Sequence, residues 1–279
     1  MIIVDLSQIT LSNLLAQMNG GRVEVSEHLV RHMILKALRS INMNFGKEYG
    51  EIVISSDSHK YWRRDIFPYY KMSRKKDREN SGLDWNHLFE ILNRIKYEIR
   101  DNLPYRFVEI EGAESDDIIA TLVLENKDDK YMIVSGDKDF IQLQTNPNVK
   151  QYAPIQKKYV THEDPVAYLQ EHILRGDRSD GIPNVLSADD VFVKGVKQKP
   201  LSKKRLAEWF ETDYVPLGPE TKKNYYRNKT LIDLNEIPES IKTKILDMYY
   251  NQKVAPKSNL LPYFINKQLK TLMEQLNDF

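Results

Sequence analysis

Residues 131–140 read Tyr131-Met132-Ile133-Val134-Ser135-Gly136-Asp137-Lys138-Asp139-Phe140, an apolar run that passes straight into two carboxylates one residue apart. Such a run has the composition of a strand buried on both faces of a parallel sheet, and Gly136 is expected to free the backbone to turn. Asp137 and Asp139 then lie where the strands of an open α/β sheet end, the place such sheets hold their ligands. Taken alone, the pair is better explained as a solvated acidic turn, because Gly-Asp is common turn chemistry. Repetition elsewhere in the chain decides between the two.

The arrangement recurs. Ile2-Ile3-Val4 ends at Asp5, and Ser26 then caps a helix whose apolar positions Leu29, Met33, Ile34, Leu38 and Ile41 follow helical spacing. Ile52-Val53-Ile54 leads through two serines to Asp57. Trp85, Leu88, Phe89, Leu92, Ile95 and Ile99 mark a further amphipathic helix, and a strand at 107–110 precedes Glu114-Ser115-Asp116-Asp117, acids that open a helix running to Glu125. Helix capping alone would account for one or two of these acids, Asp117 in particular. Alternation of this kind up to about residue 155 predicts an α/β fold, a mainly parallel sheet with helices on both faces, in which four strand ends bring acids together. From Thr161 onward the pattern becomes helical and loop-like, with helices expected over 166–174, 202–210, 241–250 and 269–276 and punctuation by proline.

With 279 residues and 41% hydrophobic content the chain can fill a real core, and its net charge of only +1 means that affinity for polyanions must come from local segregation of charge. It has no cysteine, which excludes disulfides and thiolate metal sites and fits a reducing compartment. The start lacks the basic and apolar regions of a signal peptide, and no window reaches membrane-spanning length. A soluble, cytoplasmic protein is the expectation.

Charge does segregate. Between residues 60 and 78 lie Lys60, Arg63, Arg64, Lys71, Arg74, Lys75, Lys76 and Arg78 against only Asp65 and Asp77, interleaved with Tyr61, Trp62, Phe67, Tyr69 and Tyr70. Cations neutralise phosphates while aromatic faces stack on unpaired bases, so this mixture suits single-stranded nucleic acid; the alternative is a solvated helix with core-packed aromatics. A second run, Lys194, Lys197, Lys199, Lys203, Lys204 and Arg205, follows Gly176-Asp177-Arg178-Ser179-Asp180-Gly181 and is either a grip on duplex phosphates or a solvated face.

The collected acids are Asp5, Asp57, Glu114, Asp116, Asp117, Asp137, Asp139, Asp177 and Asp180. So many carboxylates cannot converge without cations. Hard oxygen donors, with no histidine or cysteine among them, point to magnesium or manganese. A pair of such ions suits phosphodiester hydrolysis because it stabilises both the attacking and the leaving oxygen.

At this point the order of motifs is familiar. Asp5 and Asp57 after the first two strands, Glu114-x-Asp116-Asp117, Asp137-x-Asp139 and Gly176-Asp177-x-x-Asp180 resemble the flap endonuclease and 5′-nuclease family over the first two-thirds of the chain. Tyr70-Lys71-x-x-Arg74 looks like the family's Tyr-Lys-x-x-Arg element at the base of its helical arch, and Tyr61-Trp62-Arg63-Arg64-Asp65 looks most like the phage ribonuclease H branch. The resemblance implies a PIN-like nuclease core over 1–160, including a basic helical arch near 58–83, and a mainly helical, DNA-binding lobe over 161–279. It implies a 5′ to 3′ exonuclease and 5′-flap endonuclease that removes RNA primers and adjacent DNA during replication, with two Mg2+ ions or Mn2+ in their place. Asp5, Asp57, Glu114, Asp116 and Asp137 would belong to the neighbourhood of the first ion, and Asp139, Asp177 and Asp180 to that of the second. Lys71 and Arg74 would approach the scissile phosphate, while Lys60, Arg63, Arg64, Tyr70, Lys75, Lys76 and Arg78, with Lys197, Lys199, Lys203 and Lys204, would hold nucleic acid. Expected partners are DNA and RNA–DNA hybrids with 5′ ends or flaps, with a single-strand-binding protein and a sliding clamp as candidates; the protein is expected to be a monomer away from membranes.

One departure stands out. Relatives continue after the second aspartate of the last motif into a Gly-Ile-Gly hairpin that clasps duplex DNA, whereas this chain reads Gly181-Ile182-Pro183-Asn184-Val185-Leu186-Ser187, which leaves the lysines from 194 to 204 as the substitute. Two rival classes remain open from residues alone. A haloacid-dehalogenase-type phosphatase also begins with a strand ending in aspartate but needs a second aspartate two residues on, where this chain has Ser7; a non-catalytic nucleic-acid-binding module would leave the acids at the strand ends without a use.

Overall fold

Isoleucine, valine and tyrosine fit a pleated surface buried on both faces, and the sheet is built from segments rich in them. The structure, a computed structural model, describes residues 1–18, 26–211 and 218–279. β1 (Ile2–Asp5), β2 (Ile52–Ser55), β3 (Arg106–Val108), β4 (Tyr131–Val134), β5 (Val149–Ala153) and β6 (Lys158–Val160) form one sheet in the order β3-β2-β1-β4-β5-β6. All neighbours are parallel except β5 and β6, so the expected mainly parallel sheet is present with an antiparallel edge.

The helices in chain order are α1 (Leu6–Met18), α2 (Glu27–Tyr49), α3 (Trp62–Ile66), α4 (Ser73–Asn80), α5 (Trp85–Asn102), α6 (Ser115–Glu125), α7 (Pro165–Arg175), α8 (Lys203–Glu211), α9 (Pro219–Ile232), α10 (Glu239–Asn251), α11 (Leu260–Asn266) and α12 (Lys270–Met273). Among the described residues none is long and apolar enough to cross a membrane.

Contacts divide the chain into two compact units: residues 1–59, 84–161 and 239–279 in the first, 60–83 and 162–238 in the second. In the first unit the pleat sends Ile2, Val4, Ile52, Ile54, Phe107, Met132 and Val134 into a core shared with α2, α5 and the C-terminal segment. On the other face α6 lies against β1 and β2, and α10 against α6 and β3. Helices thus cover both faces, as expected. The second unit is held by two smaller cores, one of Phe67, Tyr70, Ile173, Ile182, Leu231 and Ile232 and one of Leu174, Val185, Leu206 and Trp209.

The expected division at 160/161 survives only as one of several crossings between the units. Residues 239–279, expected in the C-terminal lobe, pack in the first unit because Ile241, Ile245 and Tyr249 are buried with α10 and Phe264 and Phe279 lie in the main core. The basic segment, expected within the nuclease core, packs in the second.

Local signals mostly hold. Ser26 Oγ accepts the Leu29 N–H at 3.2 Å and starts α2, and α7, α8 and α10 fall within two residues of their expected bounds. Two expectations need correcting. The strand at 107–110 ends at Val108, since the chain turns through Gly112 at a φ of 92° and the Ala113 N–H donates to the Ile110 carbonyl. The helix at 269–276 shrinks to the single turn of α12.

Helices α1, α9 and α11 were not expected. α1 has no acid in its first turn and no base in its last. α9 buries Asn224 and Asn228 where the periodicity of an amphipathic helix calls for apolar residues, so its sequence looks solvent-exposed all round.

Candidate metal and nucleic-acid site

In the first unit the chain moves from β1 outward to β2 and β3, then returns to place β4 on the other side of β1. The carboxyl ends of β1 and β4 are therefore the switch point where open sheets take ligands. Asp5 is the last residue of β1 and only 6% exposed. Its Oδ1 accepts the Gln8 N–H at 3.0 Å and its Oδ2 accepts the Ser135 hydroxyl at 3.2 Å.

Asp137 caps the 3₁₀ helix that follows β4, accepting the Asp139 N–H at 3.0 Å. Gln8 Oε1 accepts from the Gly136 N–H and from the Ser135 hydroxyl, and buried Gln151 donates to the Ser135 carbonyl at 3.0 Å and to that of Asp137. Gly136 has no positive φ, and an added Cβ would meet nothing closer than 3.5 Å. The turn is thus shaped by glutamine and serine side chains and not by glycine's freedom. Gln8 and Gln151 escape sequence reasoning because no motif marks them.

Asp57 follows β2, and its Oδ1 accepts the Ser115 N–H at 2.8 Å at the start of α6. Glu114 and Asp117 form a capping box around that same start, with Asp117 Oδ2 accepting the Glu114 N–H at 2.9 Å. Asp117 is wholly buried and caps the helix through Oδ2, a bond that does not exclude its expected place among the metal ligands. Asp116 is half-buried in the first turn of α6.

Burial pushes the Asp5 carboxyl up to about 7, and the charges of Asp57 and Asp137 push in the same direction against the hydrogen bonds from Gln8 and Ser135. Acids from three strand ends thus act on one another. Their donor atoms are carboxylate oxygens, the set that a hard divalent cation takes and that a softer metal does not prefer.

In the second unit the expected Gly176-Asp177-x-x-Asp180 motif closes a tight turn after α7. Gly176 has a φ of 66°, and a Cβ there would collide with the carbonyl oxygens of Ile182 and Pro183. Asp177 Oδ1 accepts the Ser179 N–H at 2.6 Å and the Ser179 hydroxyl at 2.7 Å, and His172 Nε2 lies 3.5 Å from Oδ2. Burial would raise the Asp177 carboxyl, but the bonds from His172 and Ser179 outweigh it and hold it well below the usual carboxylate range.

Asp180 is 8% exposed. Its Oδ1 accepts from Arg74 at 2.6 Å, and its Oδ2 accepts from the Tyr70 hydroxyl at 2.9 Å and lies 3.5 Å from Lys71 Nζ. The Lys71 N–H also donates to the Asp180 carbonyl at 2.7 Å. Tyr70-Lys71-x-x-Arg74 and Asp180, 110 positions apart, are therefore one cluster. Both oxygens of Asp180 thus face Tyr70, Lys71 and Arg74, contacts that leave lone pairs on each oxygen for the metal it is expected to approach.

Two residues expected to grip nucleic acid do something else. Tyr70 is 2% exposed and packs in the core of the second unit. Arg63 is equally buried, donating from Nε to the Leu231 carbonyl at 2.9 Å with its guanidinium over the Trp62 ring. Trp62 and Phe67 are buried as well, so most aromatics of this segment form its core and do not offer a stacking face. Lys60, Arg64 and Lys75 are exposed and Arg78 is half-buried; the side chain of Lys76 lies outside what the structure describes. Lys197, Lys199, Lys203 and Lys204 are all exposed, and Lys204 sits 4.0 Å from Glu208.

Comparison with known proteins gives the family and the fold. Residues 8–171 match the model of the 5′-3′ exonuclease N-terminal resolvase-like domain, and residues 166–279 match that of the T4 RNase H C-terminal domain. Ribonuclease H of Enterobacteria phage T4 is 33% identical over 291 residues, spanning 99% of this chain and 95% of that protein. A 5′-3′ exonuclease of Buchnera aphidicola is 35% identical over 162 residues, 53% of each chain. The T5 D15 protein co-crystallized with metal ions superposes with a TM-score of 0.64 at 17% identity, over 89% of this chain and 98% of that one. The T5 D15 flap endonuclease in complex with DNA and metal ions gives the same TM-score at 15% identity, over 90% and 99%. At those identities the likeness is one of fold.

Proposed function

The chain belongs to the 5′-3′ exonuclease family, its second half to the T4 ribonuclease H type, and from that premise we propose how its residues divide the work of cutting nucleic acid from 5′ ends. It is a nuclease of the 5′-3′ exonuclease and flap endonuclease kind, which sets aside both the phosphatase and the non-catalytic reading. The proposal is that it is Mg2+-dependent, with Mn2+ as a substitute, and takes two ions. Asp5, Asp57, Glu114, Asp116, Asp117, Asp137 and Asp139 are the proposed ligands in the first unit, and Asp177 and Asp180 in the second. When bound, the cations would activate the attacking water and stabilise the leaving oxygen.

One observation carries this reading. Asp5 is lifted to about 7 by burial and by the neighbouring charges of Asp57 and Asp137, an arrangement that costs stability unless a cation compensates it.

Lys71 and Arg74 contribute positive charge to the scissile phosphate, and Asp180 with the Tyr70 hydroxyl fixes where those cations point. Lys60, Arg64, Lys75, Lys76 and Arg78 are proposed to meet the single-stranded 5′ end, and Lys197, Lys199, Lys203 and Lys204 the phosphates of the duplex. Substrates are DNA flaps and RNA–DNA hybrids with 5′ ends, because groups that grip phosphates need not read the sugar, and the retained duplex keeps a 5′-phosphate. Primer removal in the cytoplasm of a host cell, by a monomer working beside a single-strand-binding protein and a sliding clamp, is the setting this chemistry fits.

Matched 5′-flap and 3′-flap DNA with labelled ends, incubated with Mg2+ or with chelator, tests the proposal. Cutting of the 5′ flap alone, abolished by chelator, is expected. Preferential cutting of the 3′ flap, or cutting that survives chelation, overturns it.

A further inference from the structure

We propose that the outward face of α9 (Lys222, Lys223 and Tyr226) is a second binding surface for single-stranded nucleic acid. The proposal rests on the nuclease reading and extends it to residues that reading does not use.

The inner face of α9 is anchored by buried polar side chains. Asn224 Nδ2 donates to the Val185 and Ser187 carbonyls at 3.1 Å each. Asn228 Nδ2 donates to the Ile173 carbonyl at 2.8 Å and to the Pro183 carbonyl at 2.9 Å. Arg227 adds a bond to the Pro183 carbonyl at 2.9 Å. Breaking these bonds would leave buried polar groups unsatisfied, so the rotation of the helix about its axis is fixed.

At 3.6 residues per turn the opposite side then carries Lys222 and Tyr226, with Lys223 on its flank. Glu220, the acid in the first turn, falls toward the inner side and lines a groove of about 340 Å3 with Lys199, Arg205 and Thr221. The outward face carries two exposed lysines and a tyrosine that is 55% exposed, with half-buried Lys229 one turn on tied to Glu236 at 2.7 Å.

Tyr226 is also held in place. Its ring meets that of Tyr225 edge-on, with centroids 5.7 Å apart and planes at 81°, and Tyr225 packs against both small cores of the second unit. A lysine at i−4 and another at i−3 beside an exposed ring, on a helix anchored along its other side, is the combination that neutralises phosphate and stacks a base. A merely solvated helix face would not need the ring, and duplex DNA would offer it no unpaired base.

The test measures binding of the full chain, in chelator so that nothing is cut, to a labelled thymidine oligonucleotide of about 12 nucleotides and to a blunt duplex, across a salt series. Replacing Lys222, Lys223 and Tyr226 together with alanine is expected to weaken single-strand binding about tenfold or more and to lower the salt slope by about 1.4, two phosphate contacts on a single strand. Blunt-duplex affinity should hold. Tyr226→Phe should keep the affinity that Tyr226→Leu loses, a comparison of two surface variants that stands if the triple variant misfolds. Unchanged single-strand affinity, which would leave the face to a protein partner or to solvent, overturns the proposal. So does an equal loss on both probes. Flap cutting by the unsubstituted chain in Mg2+ is measured alongside, so that failure here is distinguishable from failure of the nuclease mechanism.

Discussion

Replacing Asp5 with asparagine should stabilise the metal-free protein while destroying its activity, and the size of the gain follows from the geometry around that residue. The carboxyl is raised from an ordinary 3.8 to about 7, first by burial and then by Asp57 and Asp137. A carboxyl with a raised native pKa holds its proton in the folded state while the unfolded chain has already released it. Stability therefore declines as pH rises from about 4 to about 7 and levels off above. The loss amounts to about 4 kcal/mol at pH 8 and under about 1 kcal/mol at pH 4. Asparagine has nearly the same shape; its Oδ1 still accepts from the Gln8 N–H, and its amide can donate to the Ser135 hydroxyl. Most of the relief should therefore appear as stability. Denaturant titrations in chelator at several pH values measure it, with the variant's advantage expected to grow toward alkaline pH, and turnover in Mg2+ should fall by several orders of magnitude. An advantage independent of pH, or a variant less stable than the parent at pH 8, would refute the argument that Asp5 is held against its own charge.

Mg2+ should raise the denaturation midpoint of the unsubstituted protein more at pH 8 than at pH 5, since at the lower pH it must displace the proton on Asp5; equal shifts at both would count against Asp5 as a ligand. Asp180→Asn removes the charge that Lys71 and Arg74 share, and leaving Lys71 buried without it should cost about 2–3 kcal/mol as well as slowing cleavage, read by denaturation and single-turnover rates. Gly176→Ala should destabilise the second unit by at least about 2 kcal/mol, because a Cβ there adds a collision with two carbonyls to an unfavourable positive φ; a variant of native stability would contradict the close approach.

Sequence alone marked β1 to β4 and the acids beyond their ends, whereas β5 and β6 were not expected from it. An isoleucine- and valine-rich run of four residues has few alternatives to a doubly buried strand, and the residue after it must lie at a sheet edge whatever the rest of the chain does. The starts of α2 and α7 were legible for the same reason, being governed by residues within one turn of each other.

What each acid does was decided by contacts that no local pattern encodes. Asp117 and Asp116 are adjacent and chemically identical, yet only Asp117 turns inward to cap α6. Asp180 became the partner of Tyr70, Lys71 and Arg74 only because the fold brought together segments more than 100 positions apart. Arg63 and Tyr70 look like surface groups in sequence, but each is buried with its polar atom on a partner. Asn224 and Asn228 hid α9 in the same way, since a buried polar side chain is indistinguishable from a solvated one until the carbonyls it satisfies are in place.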